Sequence, residues 1–504
     1  MQSSFFKNTF VFSIATFISR ILGYVRDATI AYVFGASYLT DAFFVAWRLP
    51  NTLRQLVAEG SFNAAFIPIY TNLIKKNPDK AKAYLSSLFS YYVLILSIIT
   101  FFAVIFSKIL ILILAPGFSK SPEILNLASN LVKIVFPYLI LVGIVSFFMA
   151  VLNTKDKFFI PAVSPAFLNL SFIFFALFLS SYFGIYSIAF GALFGGFLQI
   201  LLTYTLFKKE GFYLKPNFQK VVELKTTLKR ILPAFASFGV SQFGFVIDTI
   251  LASLIMAGAI SYLYYGNRIF QLPIGIFAIG LGNALLVSLS RHYAENNLKA
   301  FSKDLNEGLK LSLIISIPAS FGMIVLGKEI IQLLFAHGKF SEKDTIYTFY
   351  ALTGYSIGLI FYTMTRPLKS AFFAIEDVKT PLYSTIAGIL GGILFAIIFV
   401  FIFNLGVFGL SFASSISGLI SLIYLFYFYP YEILKKDIFK TFLKALFSAF
   451  LMSFVILLLK PFISNLAILV FGMIFISIII YFSTLYVLKE KLVLKIFEKV
   501  RRKL

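Results

Sequence analysis

The chain is 504 residues long, 60 % of them hydrophobic and 13 % charged. With a mean hydropathy of +0.93, it is too apolar to clothe a water-facing surface, and its solvent is the bilayer. It has no cysteine and two histidines, His292 and His337, which excludes disulfides, thiolate metal sites, cysteine nucleophiles and a histidine metal cage. The formal net charge of +23 sits in short loops between apolar runs and in the tail KVRRKL, a pattern of membrane topology rather than of a nucleic-acid surface.

Taken in chain order, hydropathy predicts helical spans over 5–35, 38–70, 84–114, 124–152, 159–182, 186–207, 228–257, 260–291, 305–327, 345–374, 380–403, 407–429, 441–460 and 465–488. That is roughly fourteen helices, each able to cross ~30 Å of hydrocarbon. The run from Phe5 to Phe17 resembles a signal-peptide core. It lacks a small-x-small cleavage site and continues through Arg20, so it is read as a retained first span. With the N-terminus cytoplasmic, about 31 of the 44 Lys and Arg fall at cytoplasmic ends, about 7 at the opposite ends and about 6 within spans. Both termini are therefore expected in the cytoplasm of a bacterial inner-membrane, multi-pass protein.

The sequence repeats itself. SRILGYVRDATIA around Gly23 aligns with SQFGFVIDTILA around Gly244, which places Asp27 on Asp248 at an offset of about 221. Pro50 matches Pro273, and GIYSIAFGALFGGF from Gly184 resembles GVFGLSFASSISGL from Gly406. An even number of spans separates the copies, so both have one orientation, with the relating axis along the membrane normal and a cavity expected between the lobes. The expected fold is an all-α polytopic membrane protein, with two six-helix lobes related by a pseudo-two-fold and two further C-terminal helices. The lobes are drawn at 1–208 and 228–430, with a cytoplasmic connector at 209–227, spans 13 and 14 within 431–490, and a basic tail at 491–504.

Charges inside the spans are the informative residues. Arg20, Arg26, Arg48 and Arg54 lie in the first two spans and Arg268 in the eighth, with Asp27, Asp41 and Glu59 nearby. One Arg at the centre of a span costs roughly 2.5–3.5 kcal/mol on insertion scales, so several together must face water, each other or a ligand. The plainer alternative is internal pairing, Arg26 with Asp27 or Arg54 with Glu59, holding helices together. Arginines outnumber the acids, and that surplus suits an anion such as a diphosphate, which a guanidinium grips bidentately. Asp248 is a lone carboxylate deep in span 7. It reads equally as a hydrogen-bonded helix contact or as a cation or proton site. His292 and His337 fall at span ends or in loops and are read as solvated. Phosphate-binding loops, zinc-binding helices and nucleophile elbows are missing from the sequence, which argues against an ATPase or hydrolase. Aromatic-rich spans 13 and 14, outside the duplication, are either lipid-facing or a groove for a long prenyl chain.

At the first two spans the sequence becomes specific: SRILGYVRD from Ser19, FG at Phe34, and DAFFVAWRLPNTLRQLVAEGSFNAAFIPIY from Asp41 to Tyr70. This resembles the MurJ (MviN) family of lipid II flippases in the multidrug/oligosaccharidyl-lipid/polysaccharide exporter superfamily. The resemblance implies a transporter, not an enzyme. It would move undecaprenyl-pyrophosphoryl-MurNAc-pentapeptide-GlcNAc from the cytoplasmic to the periplasmic leaflet by alternating access, for peptidoglycan biosynthesis. It places the substrate-binding residues on Arg20, Arg26, Arg54 and Arg268, with Asp27, Asp41 and Glu59 as acidic neighbours. Many relatives carry an Asp before the span-8 arginine, and here it is Asn267. Asp248 matches a sodium ligand of some members, yet the Asn and Asp partners expected on span 11 are missing from Pro381 to Phe403. Coupling is thus left among sodium, protons and membrane potential alone, without a cofactor. The expected partners are lipid II and membrane lipids, not nucleic acid, and the expected state is a monomer. The alternatives are a polysaccharide-unit flippase, a multidrug antiporter of the same superfamily, or a non-transporting scaffold for cell-wall enzymes.

Overall fold

The computed structural model describes the backbone from Gln2 to Arg501 except residues 59, 60, 156, 158 and 216, and leaves aside the side chains of 2–16, 55–58, 61, 63, 64, 232–238, 240, 241, 496 and 499–501. In chain order the α-helices are α1 (Gln2–Phe34), α2 (Tyr38–Ala58), α3 (Ser61–Lys76), α4 (Pro78–Ile105), α5 (Ser107–Leu114), α6 (Pro122–Val135), α7 (Tyr138–Asn153), α8 (Phe159–Phe178), α9 (Ser180–Phe183), α10 (Tyr186–Lys209) and α11 (Val222–Ser253). They continue as α12 (Ala259–Pro273), α13 (Ile279–Ala294), α14 (Leu298–Val325), α15 (Gly327–Phe335), α16 (Glu342–Ala374), α17 (Lys379–Ile397), α18 (Gly406–Tyr427), α19 (Lys435–Leu459), α20 (Leu466–Val487) and α21 (Lys491–Arg501). Among the described residues ten helical rods are long and apolar enough to cross a membrane. The remaining long helices are α1, α2, α11 and α16, which include those bearing Arg26, Arg54 and Asp248.

Local chemistry explains where the rods start, stop and bend. Gly35, at φ 66°, donates its N–H to the Ala31 carbonyl at 2.8 Å and closes α1, a conformation only glycine adopts without strain. Asn77 caps α4 ahead of Pro78, and Ser341 with Asp344 forms a reciprocal capping box on α16. The predicted fourth span is two helices in line, because Pro137 has no N–H with which to continue α6. The predicted eighth is α12 and α13 joined by a π turn at Ile274–Ala278, directly after Pro273. Residues 491–501, read from sequence only as a basic tail, are helical.

The helices form two compact units, Met1–Ser261 with His337–Phe340, and Tyr262–Ala336 with Ser341–Leu504. In the first, α8 lies against α1 and α10, and α2 against α6 and α7. An aromatic core of Phe62, Phe66, Tyr84 and Phe147 joins α3, α4 and α7. In the second, α16 is central, flanked by α13, α14 and α18. Small residues let α16 and α18 approach: Ser415 Oγ donates to the Gly354 carbonyl at 2.5 Å, and a Cβ on Gly358 would stand 2.4 Å from the same oxygen. The helices outside the duplication are fastened to this unit by ion pairs, Lys460–Glu329 at 2.7 Å and Lys310–Asp437 at 3.5 Å.

Two glycine contacts inside the first unit keep the repeat register. A Cβ on Gly117 would lie 1.8 Å from the Ser253 carbonyl oxygen at the end of α11, and a Cβ on Gly338 2.3 Å from the Tyr32 carbonyl near the end of α1. Gly338 and Tyr32 stand 221 residues after Gly117 and before Ser253 respectively, so each copy's loop docks on the other copy's first helix. Gly117→Ala should cost about 1–3 kcal/mol by forcing backbone apart, read as a lower unfolding midpoint in detergent. Gly472→Ala, where nothing lies within 4 Å, should leave the midpoint unchanged or raise it.

Candidate functional site

Most of the residues singled out from sequence lie on α1, α2 and α11 of the first unit. Arg26 and Asp27 are adjacent, and neighbours on a helix do not normally face each other. Here the arginine folds back so that Nε and Nη2 both donate to Asp27 Oδ1, at 2.9 and 2.7 Å. Its Nη1 donates to Asn169 Oδ1 on α8 at 3.1 Å, and the guanidinium lies 5.5 Å from the Phe172 ring centre. Asn169 in turn donates to the Ser19 carbonyl at 3.1 Å. The Arg26 side chain is 12 % exposed and that of Asp27 fully buried. The internal pairing weighed as an alternative is thus present at this position, on a side chain that is not fully buried.

Asp41 has a different occupation. Its carboxylate is 2 % exposed and accepts the Gly258 N–H at 2.6 Å, the Ser261 N–H at 2.8 Å and the Ser261 hydroxyl at 2.6 Å. These donors are the unsatisfied amides at the start of α12, where an anion is favoured by both hydrogen bonding and the helix dipole. Beside it the Ser261 Oγ lies 2.9 Å from Thr40 Oγ1. Thr40 and Ser261 are themselves 221 residues apart, so equivalent positions of the two copies touch.

The other charges are dispersed. Arg48 reaches from α2 to α11, where Nη1 meets the Phe245 carbonyl and the Thr249 hydroxyl. Arg54, half-buried, donates from Nε to Asn51 at 3.1 Å, and Arg20 is exposed on α1. Glu59 lies outside the described residues. Asp248 is half-buried on α11, within electrostatic reach of Arg48. Arg268 stands in the second unit on α12, half-buried, with its guanidinium 5.8 Å from the Tyr264 ring centre. Its neighbour Asn267 accepts from Gln271. His337 is exposed, whereas His292 corrects the solvated reading: its side chain is 15 % exposed and Nε2 lies 3.1 Å from Asp304 Oδ2, because α14 packs beside the end of α13.

Sequence reasoning missed Asn169 and Phe172, which hold Arg26 from α8. An amide in the apolar run SPAFLNLSFIFF was the available signal, since a mid-span polar group needs a partner. It also missed Arg366 and Lys369 on α16.

The family model described as "Lipid II flippase MurJ" matches residues 30–479. The probable lipid II flippase MurJ of Aquifex aeolicus (strain VF5) is 36 % identical over 493 residues, 98 % of this chain and 96 % of that protein. Among solved structures, a lipid II flippase MurJ in an inward closed conformation superposes with a TM-score of 0.83 at 33 % identity, covering 96 % of this chain and 100 % of that one. A multidrug resistance MATE family transporter of the MOP superfamily shares the fold, with a TM-score of 0.66 at 15 % identity over 80 % of this chain and 92 % of that one.

Asp41→Ala should strand the Gly258 and Ser261 amides and cost about 1–3 kcal/mol. Amide exchange at 258–261 should quicken and the unfolding midpoint fall, with Asp41→Asn intermediate. Unchanged exchange there would dissolve the capping role.

Proposed function

Because the chain belongs to the MurJ family of lipid II flippases, we propose that its internal arginines bind the diphosphate of lipid II while two lobes rock to pass the head group across the membrane. The protein is a lipid II flippase, a transporter and not an enzyme, and a multi-pass protein of the inner membrane that serves peptidoglycan synthesis. Its substrate is the undecaprenyl diphosphate-linked disaccharide pentapeptide.

The observation that carries the site assignment is Arg26. It is an arginine of the first span held in a set orientation by Asp27, Asn169 and Phe172, with a side chain that is not fully buried. Preorganisation of this kind lowers the entropy lost when an anion is gripped. Arg20, Arg54 and Arg268 complete the proposed binding set, with Asp27 and Glu59 tuning it. Asp41, its carboxylate committed to the α12 amides, acts here through the helix start it holds. The lobes are taken as 1–208 and 228–430, with the prenyl chain along 431–490, both termini cytoplasmic, and a monomer as the working unit. Alternating access needs a driving force. Two negative charges moved outward across ~100 mV, negative inside, gain up to ~4.6 kcal/mol at ~2.3 kcal/mol per charge. If the full field is crossed, membrane potential alone biases the cycle outward, and Asp248 is the candidate should a proton or cation be coupled.

Arg26→Ala or Arg268→Ala should abolish complementation of a strain depleted of its own lipid II flippase, with membrane levels of the protein preserved. Normal growth of both variants would remove these arginines from the binding set.

A further inference from the structure

The C-terminal part of the central helix of the second unit carries two cations that the family-level reading leaves unassigned. Arg366 and Lys369 lie on α16 at i,i+3 spacing and so share a face. Arg366 is exposed, while its neighbours Thr365, Pro367, Leu368 and Ser370 are buried. Its Cβ faces Gly282 of α13, where an added Cβ would sit 3.6 Å away, and Ser370 pins the same point by donating to the Gly282 carbonyl at 2.8 Å. Lys369 donates to Thr385 Oγ1 of α17 at 3.0 Å, and that hydroxyl is already engaged with the Pro381 carbonyl at 2.9 Å.

Five lysines of this unit find carboxylates: Lys310 with Asp437, Lys328 with Glu342, Lys444 with Glu490, Lys460 with Glu329 and Lys495 with Glu307. Arg366 and Lys369 pair with no acid among the described residues. Two acids follow the helix end: Glu376 is exposed, and Asp377 accepts from the Thr380 hydroxyl at 2.6 Å and from the backbone of 379 and 380. Two cations side by side without a counter-ion repel each other, and an anion placed between them relieves that repulsion.

Position along the helices tells which anion. Gly266 of α12 packs on Ala351 and Gly282 of α13 on Arg366, so the rod α12–α13 and α16 run parallel. Arg268 then lies fourteen residues before the Arg366 level, roughly 20 Å at 1.5 Å per residue. A diphosphate held at Arg268 cannot reach that far, whereas a head group carrying a pentapeptide can, and a peptide must end in a carboxylate. We infer that Arg366 and Lys369 form a second anion-binding site in the second unit, which takes a carboxylate of the peptide part of the lipid-linked head group and so reads the head group apart from the diphosphate.

This inference rests on the flippase reading above, and its test separates the two. Full-length protein in phosphatidylcholine nanodiscs would be titrated with lipid II and with undecaprenyl diphosphate, which lacks sugars and peptide. Arg366→Gln/Lys369→Gln should bind lipid II about tenfold or more weakly, the loss of one charge-assisted contact, and undecaprenyl diphosphate as the wild type does. Arg366→Lys/Lys369→Arg, which keeps both charges, should restore binding. Unchanged lipid II affinity overturns the site, as does an equal loss for both ligands. It is also overturned if the only change is weaker retention of phosphatidylglycerol in nanodiscs containing that lipid, which would mark a bilayer-lipid contact. Wild-type protein that binds neither ligand would instead bring down the flippase site assignment, and the second site with it. Should the double Gln variant lose its monodisperse elution and melting transition, Lys369→Gln alone carries the comparison.

Discussion

A guanidinium cannot stand bare in hydrocarbon, and the arrangement of the first unit follows from that. An arginine buried within a span obliges the fold to bring up acceptors, and where the backbone already satisfies itself in helices those acceptors must be side chains or the carbonyls freed at bends and ends. Arg26 draws Asp27 and an amide from a helix 143 residues away. Arg48 takes a carbonyl and a hydroxyl from α11, which ties α2 to the first helix of the second copy. The charges that bind substrate on the proposed reading are therefore also part of what positions the helices, and their removal is felt in packing as well as in binding.

The same constraint acts with opposite sign on the acids. Asp27 answers a cation directly, whereas Asp41 answers the partial positive charge of a helix start. These are different jobs for one residue type. Asp27 has a rival for its partner, since an incoming anion draws on the same Arg26 donors. Asp41 is held by three donors in a buried pocket, and releasing it exposes two backbone amides at once. The α2–α12 junction is thus the more strongly determined of the two.

Much of this was legible in the chain. Apolar runs gave the long rods, and the repeat around Gly23 and Gly244 gave the duplication, because both are periodic signals carried by many residues. Bends at Pro137 and Pro273 were visible as prolines, yet hydropathy does not see a missing N–H, so the fourth and eighth spans were read as single rods. Pairings across long separations were not legible. Nothing near Asp41 announces Gly258, and nothing near Arg26 announces Asn169. The contacts of Gly117 and Gly338 were half-written in the 221-residue offset, but a glycine reveals a close backbone approach only when the opposing carbonyl is in place. Arg366 and Lys369 escaped notice because they lie near the end of a span, where basic residues ordinarily reach for water.

A transporter must also let go, and here the pairing of Arg26 with Asp27 matters for function. A cavity of unpaired arginines would hold a diphosphate tightly and release it slowly, whereas transport needs binding strong enough for entry and weak enough for exit. A carboxylate at 2.7 Å competes with the incoming phosphate for the same N–H groups, so part of the gain on binding is spent in displacing it. The same carboxylate lowers the cost of the empty state, in which the arginine would otherwise sit uncompensated within a span. On the proposed reading, Asp27 therefore narrows the free-energy difference between loaded and empty site from both sides. A cycle that returns empty after each turn benefits from that directly, because the deeper of the two wells sets its slowest step.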